Sequence, residues 1–320
     1  MHKVLVVMDV LDEHKAILEG ISNEVEVKYV PSAKVTAGDL EEVEVIVGNL
    51  NPALLVSCKN LKLLQLNSAG TDGFTADGVL PKGAVLANAT GAYGLAISEH
   101  MIATILCLMK KLDLYKMNQE KSEWKDMGPV TSIYGSKTLI VGFGDIGSEF
   151  GMRMNALGSK VTAIRKNIAN KPDYVESLHT MEDFTACLKD ADIVATCLPG
   201  TSETYKLFNK AAFDNMKDGA YFINVGRGTA VDTEALCDAL ESGKLAGASV
   251  DVTDPEPLPA DNKLWKMPNV LITPHVSGGY HLKETHNRII RIAAKNISHL
   301  VKKEAFENLV DMKSGYRKNI

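Results

Sequence analysis

The run Leu139-Ile-Val-Gly-Phe-Gly-Asp-Ile-Gly147 constrains this chain more than any other stretch. Leu139 to Val141 read as a buried parallel strand, and Gly142, Gly144 and Gly147 follow at once. Each glycine has its own geometric reason: the first permits a tight turn, the second lets a pyrophosphate come up to the backbone, and the third lets the next helix pack close to the strand. That helix is expected over Asp145 to Leu157, with Gly158 as its stop and Val161 to Ile164 as the next strand. Its first N–H groups would point at the phosphates of a dinucleotide, which makes Gly142, Gly144, Asp145, Ile146 and Gly147 the candidate contacts. A bare glycine turn is common chain punctuation, and the strand and helix flanking this one are what raise it above that reading.

In the NAD version of this unit, a carboxylate about twenty residues on accepts hydrogen bonds from the adenosine ribose. Here the second strand ends on Arg165 and Lys166, which cannot accept them. Both can pair with a 2′-phosphate, so NADP(H) is favoured over NAD(H). The plainer reading is a solvated basic pair at a strand end.

With 320 residues and 45% hydrophobic content, the chain can build two domains, each with its own core. A net charge of -5 leaves no basic surplus for nucleic acid or an acidic membrane surface. Cys58, Cys107, Cys187, Cys197 and Cys237 are scattered and without CxxC spacing, so neither a disulfide framework nor a metal site is indicated, and a reducing cytoplasm fits. Met1 leads directly into strand-like Val4 to Val7 rather than into a secretory leader. The longest apolar run, near Ile102 to Met109, is too short to span a bilayer.

The opening third alternates apolar runs with polar stretches: Val4 to Met8, Val25 to Val30, Val43 to Val47, Leu61 to Leu66 and Val85 to Ala87. This rhythm predicts a small α/β domain with a parallel sheet. Ile97 to Met117 lacks Gly and Pro and is expected to form one connecting helix, followed by an irregular stretch from Asn118 to Ser136. After the glycine unit come Val161 to Ile164, Ile193 to Leu198, Tyr221 to Val225, Ala248 to Val252 and Val270 to Thr273, which with the first strand predict a doubly wound sheet of six. Leu282 to Val301 reads as a long helix returning to the first domain.

Ligands of open α/β sheets bind beyond the carboxyl ends of the strands. Three polar residues follow consecutive strand runs there: Arg227, Glu256 between prolines, and His275 in Thr-Pro-His. A guanidinium holds a carboxylate in two-pronged fashion, and an imidazole beside a carboxylate is an acid/base near neutral pH. These are parts for reducing a 2-oxo acid. Singly, Arg227 could be a turn residue, Glu256 a solvated acid and His275 a satisfied strand-end histidine; their shared edge beside the glycine unit favours the joint reading.

Nearly the whole chain resembles the D-isomer-specific 2-hydroxyacid dehydrogenases, in particular their glyoxylate/hydroxypyruvate reductase-like, NADP-preferring branch. The resemblance runs through Asn67-Ser-Ala-Gly-Thr-Asp72, Asn88 to Gly91, Ser98-Glu99-His100, Gly142 to Gly147 and Leu198-Pro199 with Thr201 and Glu203-Thr204. It continues through Asn224 to Gly228, Asp251 to Pro257 and Thr273-Pro274-His275. It implies a Rossmann coenzyme domain, residues 98–284, inserted into a flavodoxin-like substrate domain, residues 1–97 and 285–320, with the active site in the cleft and a homodimer formed through the coenzyme domain. By the same resemblance, Arg227 would bind the substrate's carboxylate and carbonyl, His275 would donate a proton to the carbonyl oxygen, and Glu256 would orient His275 and favour its protonated form. The N–H groups of Ala69 and Gly70 would cradle the carboxylate; Leu198, Pro199 and Thr204 would line the cofactor, and Asp251 would meet the nicotinamide amide. For Ala69-Gly70 the plain alternative is a structural connection, and for Asp251 a helix cap or solvated acid.

Arg165 departs from the acid that many members carry, which points to NADPH and to reduction of glyoxylate or hydroxypyruvate. Phosphate-bearing substrates are usually gripped by Arg or Lys, and Val43 to Ser57 contains neither, which disfavours 3-phosphoglycerate. Asn49 and Asn51 in that stretch could bond a hydroxyl or carbonyl, or be turn residues beside Pro52. With Ile320 soon after the closing helix, no appended regulatory module is expected. Two alternatives remain open at this stage: an NAD-dependent D-3-phosphoglycerate dehydrogenase, and a dinucleotide-sensing, corepressor-like interaction protein on the same scaffold.

Overall fold

The computed structural model describes residues 1–279, 281–315 and 317–318. The chain divides into two compact units, Met1–Tyr93 with Tyr280–Ile320, and Gly94–Gly279, so the second is inserted into the first. The sequence places the two junctions at 97/98 and 284/285.

The first unit holds a sheet of five parallel strands: β1 (His2–Val6), β2 (Val25–Tyr29), β3 (Val45–Val47), β4 (Leu63–Gln65) and β5 (Val85–Ala87), in the order β2-β1-β3-β4-β5. This is the flavodoxin-type order, in which direction reverses between β1 and β3. Because side chains alternate along a strand, Val4 and Val6 face one side while Leu5 and Val7 face the other. The Val4 side is covered by helix Lys283–Lys302, whose Ile290, Ala293 and Ile297 are fully buried at helical spacing.

The second unit holds seven parallel strands: β6 (Lys137–Val141), β7 (Lys160–Ile164), β8 (Ser177–His179), β9 (Ile193–Thr196), β10 (Ala220–Asn224), β11 (Leu245–Val250) and β12 (Val270–Ile272). Their order is β12-β11-β10-β9-β6-β7-β8, a doubly wound sheet whose direction reverses between β6 and β9. One face packs on a cluster in which Phe222 lies 5.0 Å from Phe208 and 5.4 Å from Phe213, ring centre to ring centre. Helices Gly94–Met109 and Asp145–Ala156 pack on each other, the latter bringing Gly151 against Ile140 and Phe143.

Two expectations need correction. The sheet has seven strands where six were expected, because Ser177-Leu178-His179 carries a single apolar residue and gives no hydrophobic run. The expected helix of 97–117 is two helices, Gly94–Met109 and Leu112–Glu120, separated where Lys111 turns to a left-handed φ of 56°. The second of these extends into the stretch read as irregular.

Candidate active site

The dinucleotide turn is built as its glycines suggest. Gly142 has φ +98°, and a Cβ there would stand 2.9 Å from the Cys197 carbonyl. At Gly147 a Cβ would lie 2.4 Å from the Gly142 carbonyl oxygen, so only glycine lets helix Asp145–Ala156 approach β6 this closely. Gly144 differs: nothing lies within 4 Å of its Cβ position, and no side chain caps the helix that begins beside it. The protein's own packing gives no reason for glycine there. An open cradle at the start of a helix without a side-chain cap fits a pyrophosphate.

Arg165 follows β7 directly. Its Nη2 donates to the carbonyls of Ala169 and Asn170, folding the guanidinium onto the turn that follows, while its Nε is buried without an acceptor. Lys166 Nζ lies 2.9 Å from Glu203 Oε2, an exposed pair worth little in energy. Leu198 and Pro199 follow β9, and the Leu198 carbonyl would be 2.3 Å from a Cβ at Gly226, so the β9 and β10 loops touch through that glycine. The Thr204 hydroxyl closes the same turn by donating to the Pro199 carbonyl at 2.7 Å.

Arg227, Glu256 and His275 stand beyond the carboxyl ends of β10, β11 and β12, three strands paired side by side. Asn224, fully buried at the end of β10, shapes the first loop: its Oδ1 accepts from Gly226 N at 3.1 Å and its Nδ2 donates to the Arg227 carbonyl at 3.2 Å. Gly228 brings that loop onto the next, since a Cβ there would lie 1.9 Å from the Thr253 carbonyl. His275 Nδ1 lies 2.8 Å from Glu256 Oε1, with both side chains open to solvent. His275 has φ 51°, a left-handed conformation that costs a non-glycine residue about 1–3 kcal/mol and is held by its surroundings.

Those surroundings centre on Asp251, a residue 2% exposed. Asp251 Oδ1 accepts from the Thr273 hydroxyl at 2.6 Å and from Val276 N at 3.0 Å, and Oδ2 accepts from Ser277 N at 3.1 Å and from the Ser277 hydroxyl. His275 N donates to the Asp251 carbonyl at 2.8 Å. His100 Nε2 reaches Thr273 Oγ1 at 3.3 Å. The Thr-Pro-His and Ser-Glu-His motifs are visible in the sequence, whereas Ser277 carries no signal of its own.

In the first unit, β4 leads into the turn of Ala69 and Gly70. Their carbonyls are tied back, Ala69 O to Asn88 Nδ2 at 2.8 Å and Gly70 O to the Ser68 hydroxyl at 2.7 Å. Among the described residues, the N–H groups of Ser68, Ala69 and Gly70 have no acceptor, which leaves three consecutive donors open to an anion. Asn49 bonds within its own loop region: its Oδ1 accepts from Asn67 N at 3.2 Å and its Nδ2 donates to Ser68 Oγ at 3.1 Å. Asn51 caps helix Pro52–Leu55 by accepting from Ala53 N at 3.0 Å. Tyr93 donates to the Asn67 carbonyl, and Tyr280, named from sequence as a pocket residue, lies outside the described residues. Among the described residues, no group of His, Cys, Asp and Glu could hold a metal ion and no helix is long and apolar enough to cross a membrane.

A doubly wound sheet with a glycine cradle at its switch point and a histidine–carboxylate pair at its carboxyl edge defines a dinucleotide-dependent oxidoreductase. The chain belongs to the D-isomer specific 2-hydroxyacid dehydrogenases, whose NAD binding domain model matches residues 102–277. A D-3-phosphoglycerate dehydrogenase of Archaeoglobus fulgidus is 29% identical over 98% of this chain, which spans 60% of that protein's length. A glyoxylate/hydroxypyruvate reductase B of Enterobacter is 28% identical, covering 94% of this chain and 93% of that one. Among solved structures, a D-isomer specific 2-hydroxyacid dehydrogenase from Xanthobacter autotrophicus in complex with NADPH and MES aligns with TM-score 0.84 at 27% identity, over 98% of this chain and 99% of that one. A D-lactate dehydrogenase from Aquifex aeolicus complexed with NAD and lactic acid aligns with TM-score 0.73 at 26% identity, over 95% and 96% of the two chains.

Proposed function

We propose that this protein reduces a small 2-oxo acid of the glyoxylate or hydroxypyruvate type to the D-2-hydroxy acid, with NADPH preferred over NADH. The observation that carries this reading is the 2.8 Å His275–Glu256 pair beyond the sheet that also bears the glycine cradle. The reduced nicotinamide, when bound, supplies a hydride to C2 of the acid. His275 gives the proton that the carbonyl oxygen needs as it gains charge, and Glu256 holds the imidazole by Nδ1 so that Nε2 is the donating atom. Arg227 binds the carboxylate and polarises the carbonyl. In the first unit, the N–H groups of Ala69 and Gly70 are the substrate contacts proposed there, donors suited to an anion. Gly142, Gly144 and the first turn from Asp145 hold the pyrophosphate, with Leu198, Pro199 and Thr204 lining the dinucleotide.

Arg165 and Lys166 support the NADPH preference, as does the NADPH complex of the Xanthobacter relative; the NAD complex of the Aquifex relative weighs on the other side. A second reading, oxidation of 3-phosphoglycerate with NAD, is favoured by the Archaeoglobus relative and opposed by the lack of Lys or Arg across Val43 to Ser57. Turnover of glyoxylate, hydroxypyruvate and 3-phosphoglycerate with each dinucleotide separates the two.

The coenzyme domain is further proposed to dimerise through the segment 112–134, where Trp124 is fully exposed and Leu112, Met117 and Tyr134 stand beside it in sequence, also exposed. Sedimentation of Trp124→Ser as a dimer as stable as wild type would place the contact elsewhere. Five free cysteines suit the reducing cytoplasm in which the enzyme is proposed to act.

A further inference from the structure

A trans peptide points its carbonyl and its N–H in opposite directions, so whatever holds the Ala69 carbonyl also aims the Gly70 N–H. Glycine accepts either sign of φ, and the Ala69–Gly70 plane can therefore turn over with no steric bar on the Gly70 side. Of the two planes that present the Ala69 and Gly70 N–H groups, the first is held by backbone, since the Ser68 carbonyl accepts from Ala89 N at 2.9 Å. The second is held by a side chain: Asn88 Nδ2 donates to the Ala69 carbonyl at 2.8 Å.

We propose that Asn88 is a positioning residue for substrate binding, a lock on the Ala69–Gly70 peptide that keeps the Gly70 N–H open to an anion, and that Asn308 holds the lock in place. The inference rests on the Gly70 N–H being a substrate contact.

The Asn88 amide fits only one way round. Its Oδ1 accepts from Thr90 N at 3.2 Å and from the Thr90 hydroxyl at 2.8 Å; a backbone N–H can only donate, so the other end of the amide, the donor, faces Ala69. Asn308 grips the same place from the segment that follows helix Lys283–Lys302. Its Nδ2 donates to the Thr90 carbonyl at 2.7 Å, and its own carbonyl accepts from Asn88 N at 3.1 Å. The next residue, Leu309, pairs antiparallel with Ala87 at the end of β5. A second support comes from the long helix: the Asn88 carbonyl accepts from Gln65 Nε2 at 3.1 Å, and Gln65 Oε1 accepts from Asn296 Nδ2 at 2.6 Å. Asn88, Gln65 and Asn296 are all buried, where a polar group left without its partner is most costly. All four polar groups of Asn88, two on the side chain and two on the backbone, are thus engaged, and one of them ends on the peptide that carries the Gly70 N–H.

The test compares wild type with Asn88→Ala and Asn308→Gly. The second variant removes an amide while glycine keeps the left-handed backbone of residue 308, whose φ is 55°. Oxamate, an unreactive analogue of a 2-oxo acid, serves as the probe: its affinity is measured with NADPH bound, together with hydroxypyruvate KM and kcat, NADPH affinity, and the amide resonance of Gly70 in labelled protein. In wild type, oxamate shifts the Gly70 resonance. Asn88→Ala is expected to weaken oxamate and raise KM by at least about tenfold, the worth of one hydrogen bond to a charged group, and Asn308→Gly by at least about threefold. In both, kcat changes less than KM, and NADPH affinity stays within about twofold. A merely structural role would lower the active fraction, and so the apparent kcat, while leaving KM and oxamate affinity in place. Oxamate affinity within about twofold of wild type in Asn88→Ala, or a loss of NADPH affinity equal to the loss for oxamate, would overturn the proposal. If Asn88→Ala does not fold, Asn308→Gly decides by the same criteria. Oxamate that binds wild type and leaves the Gly70 resonance unmoved would instead remove the substrate contact itself, and this inference with it.

Discussion

His275 Nδ1 and Glu256 Oε1 lie 2.8 Å apart although 19 residues separate them in the chain. The contact forms because each residue follows a strand of the same parallel sheet, and neighbouring strands deliver their loops to one edge. Glu256→Gln keeps the shape and removes the charge, so kcat is expected to fall while NADPH affinity holds. Steady-state kinetics with a direct binding measurement checks this, and a loss confined to NADPH binding would contradict it.

Arg165→Asp is expected to weaken NADPH binding by about 10–100-fold, since hydrogen bonds to charged groups are worth about 1.5–3 kcal/mol. NADH affinity should hold or improve, because the new carboxylate can accept from the ribose hydroxyls. Equal losses for both dinucleotides, read by fluorescence titration, would show that Arg165 only braces the turn at Ala169 and Asn170.

The three glycines of the motif separate packing from ligand binding. Gly144→Ala meets nothing within 4 Å and should leave Tm within about 2–4 °C of wild type while lowering NADPH affinity at least about tenfold. Gly147→Ala, driven to 2.4 Å from a backbone oxygen, should lower Tm far more. Thermal melts with and without NADPH distinguish the two, and a Gly144→Ala protein that binds NADPH normally would remove the cradle from the account.

Much of this was legible in the sequence for a physical reason. Strands buried on both faces are near-continuous apolar runs, so Leu139 to Val141 announces itself as one, and Val161 to Ile164 nearly does, with Thr162 its one polar residue. Ser177 to His179 lies at the sheet edge with every residue half-buried, and leaves no such trace. The left-handed Lys111 that divides two helices needs no glycine or proline, so composition does not reveal it. The strand-end positions of Arg227, Glu256 and His275 could be read because loops follow strands. The donors around Asp251 could not, because a carboxylate's partners are set by how five residues of backbone fold around it.

Stability should also depend on pH through His286. Burial is the chief cause holding its pKa below 6.5, and the neighbouring His14 ring, 4.2 Å away, acts in the same direction. A histidine depressed on folding binds its proton more readily in the unfolded chain. Its stabilisation is complete above the unfolded value of about 6.5 and is lost as pH falls through the folded one. Tm is therefore expected to drop from pH 7 to pH 5 more steeply in wild type than in His286→Gln. Parallel profiles would contradict this.

The central claim is that this chain reduces a 2-oxo acid with His275 as the proton donor. Oxidation of NADPH by the purified protein, followed at 340 nm with glyoxylate and with hydroxypyruvate, tests it most directly. The account predicts turnover with at least one of them, faster with NADPH than with NADH, and lower by about 10²–10⁴-fold in His275→Ala. No oxidation with either acid, or wild-type turnover in His275→Ala, would contradict it.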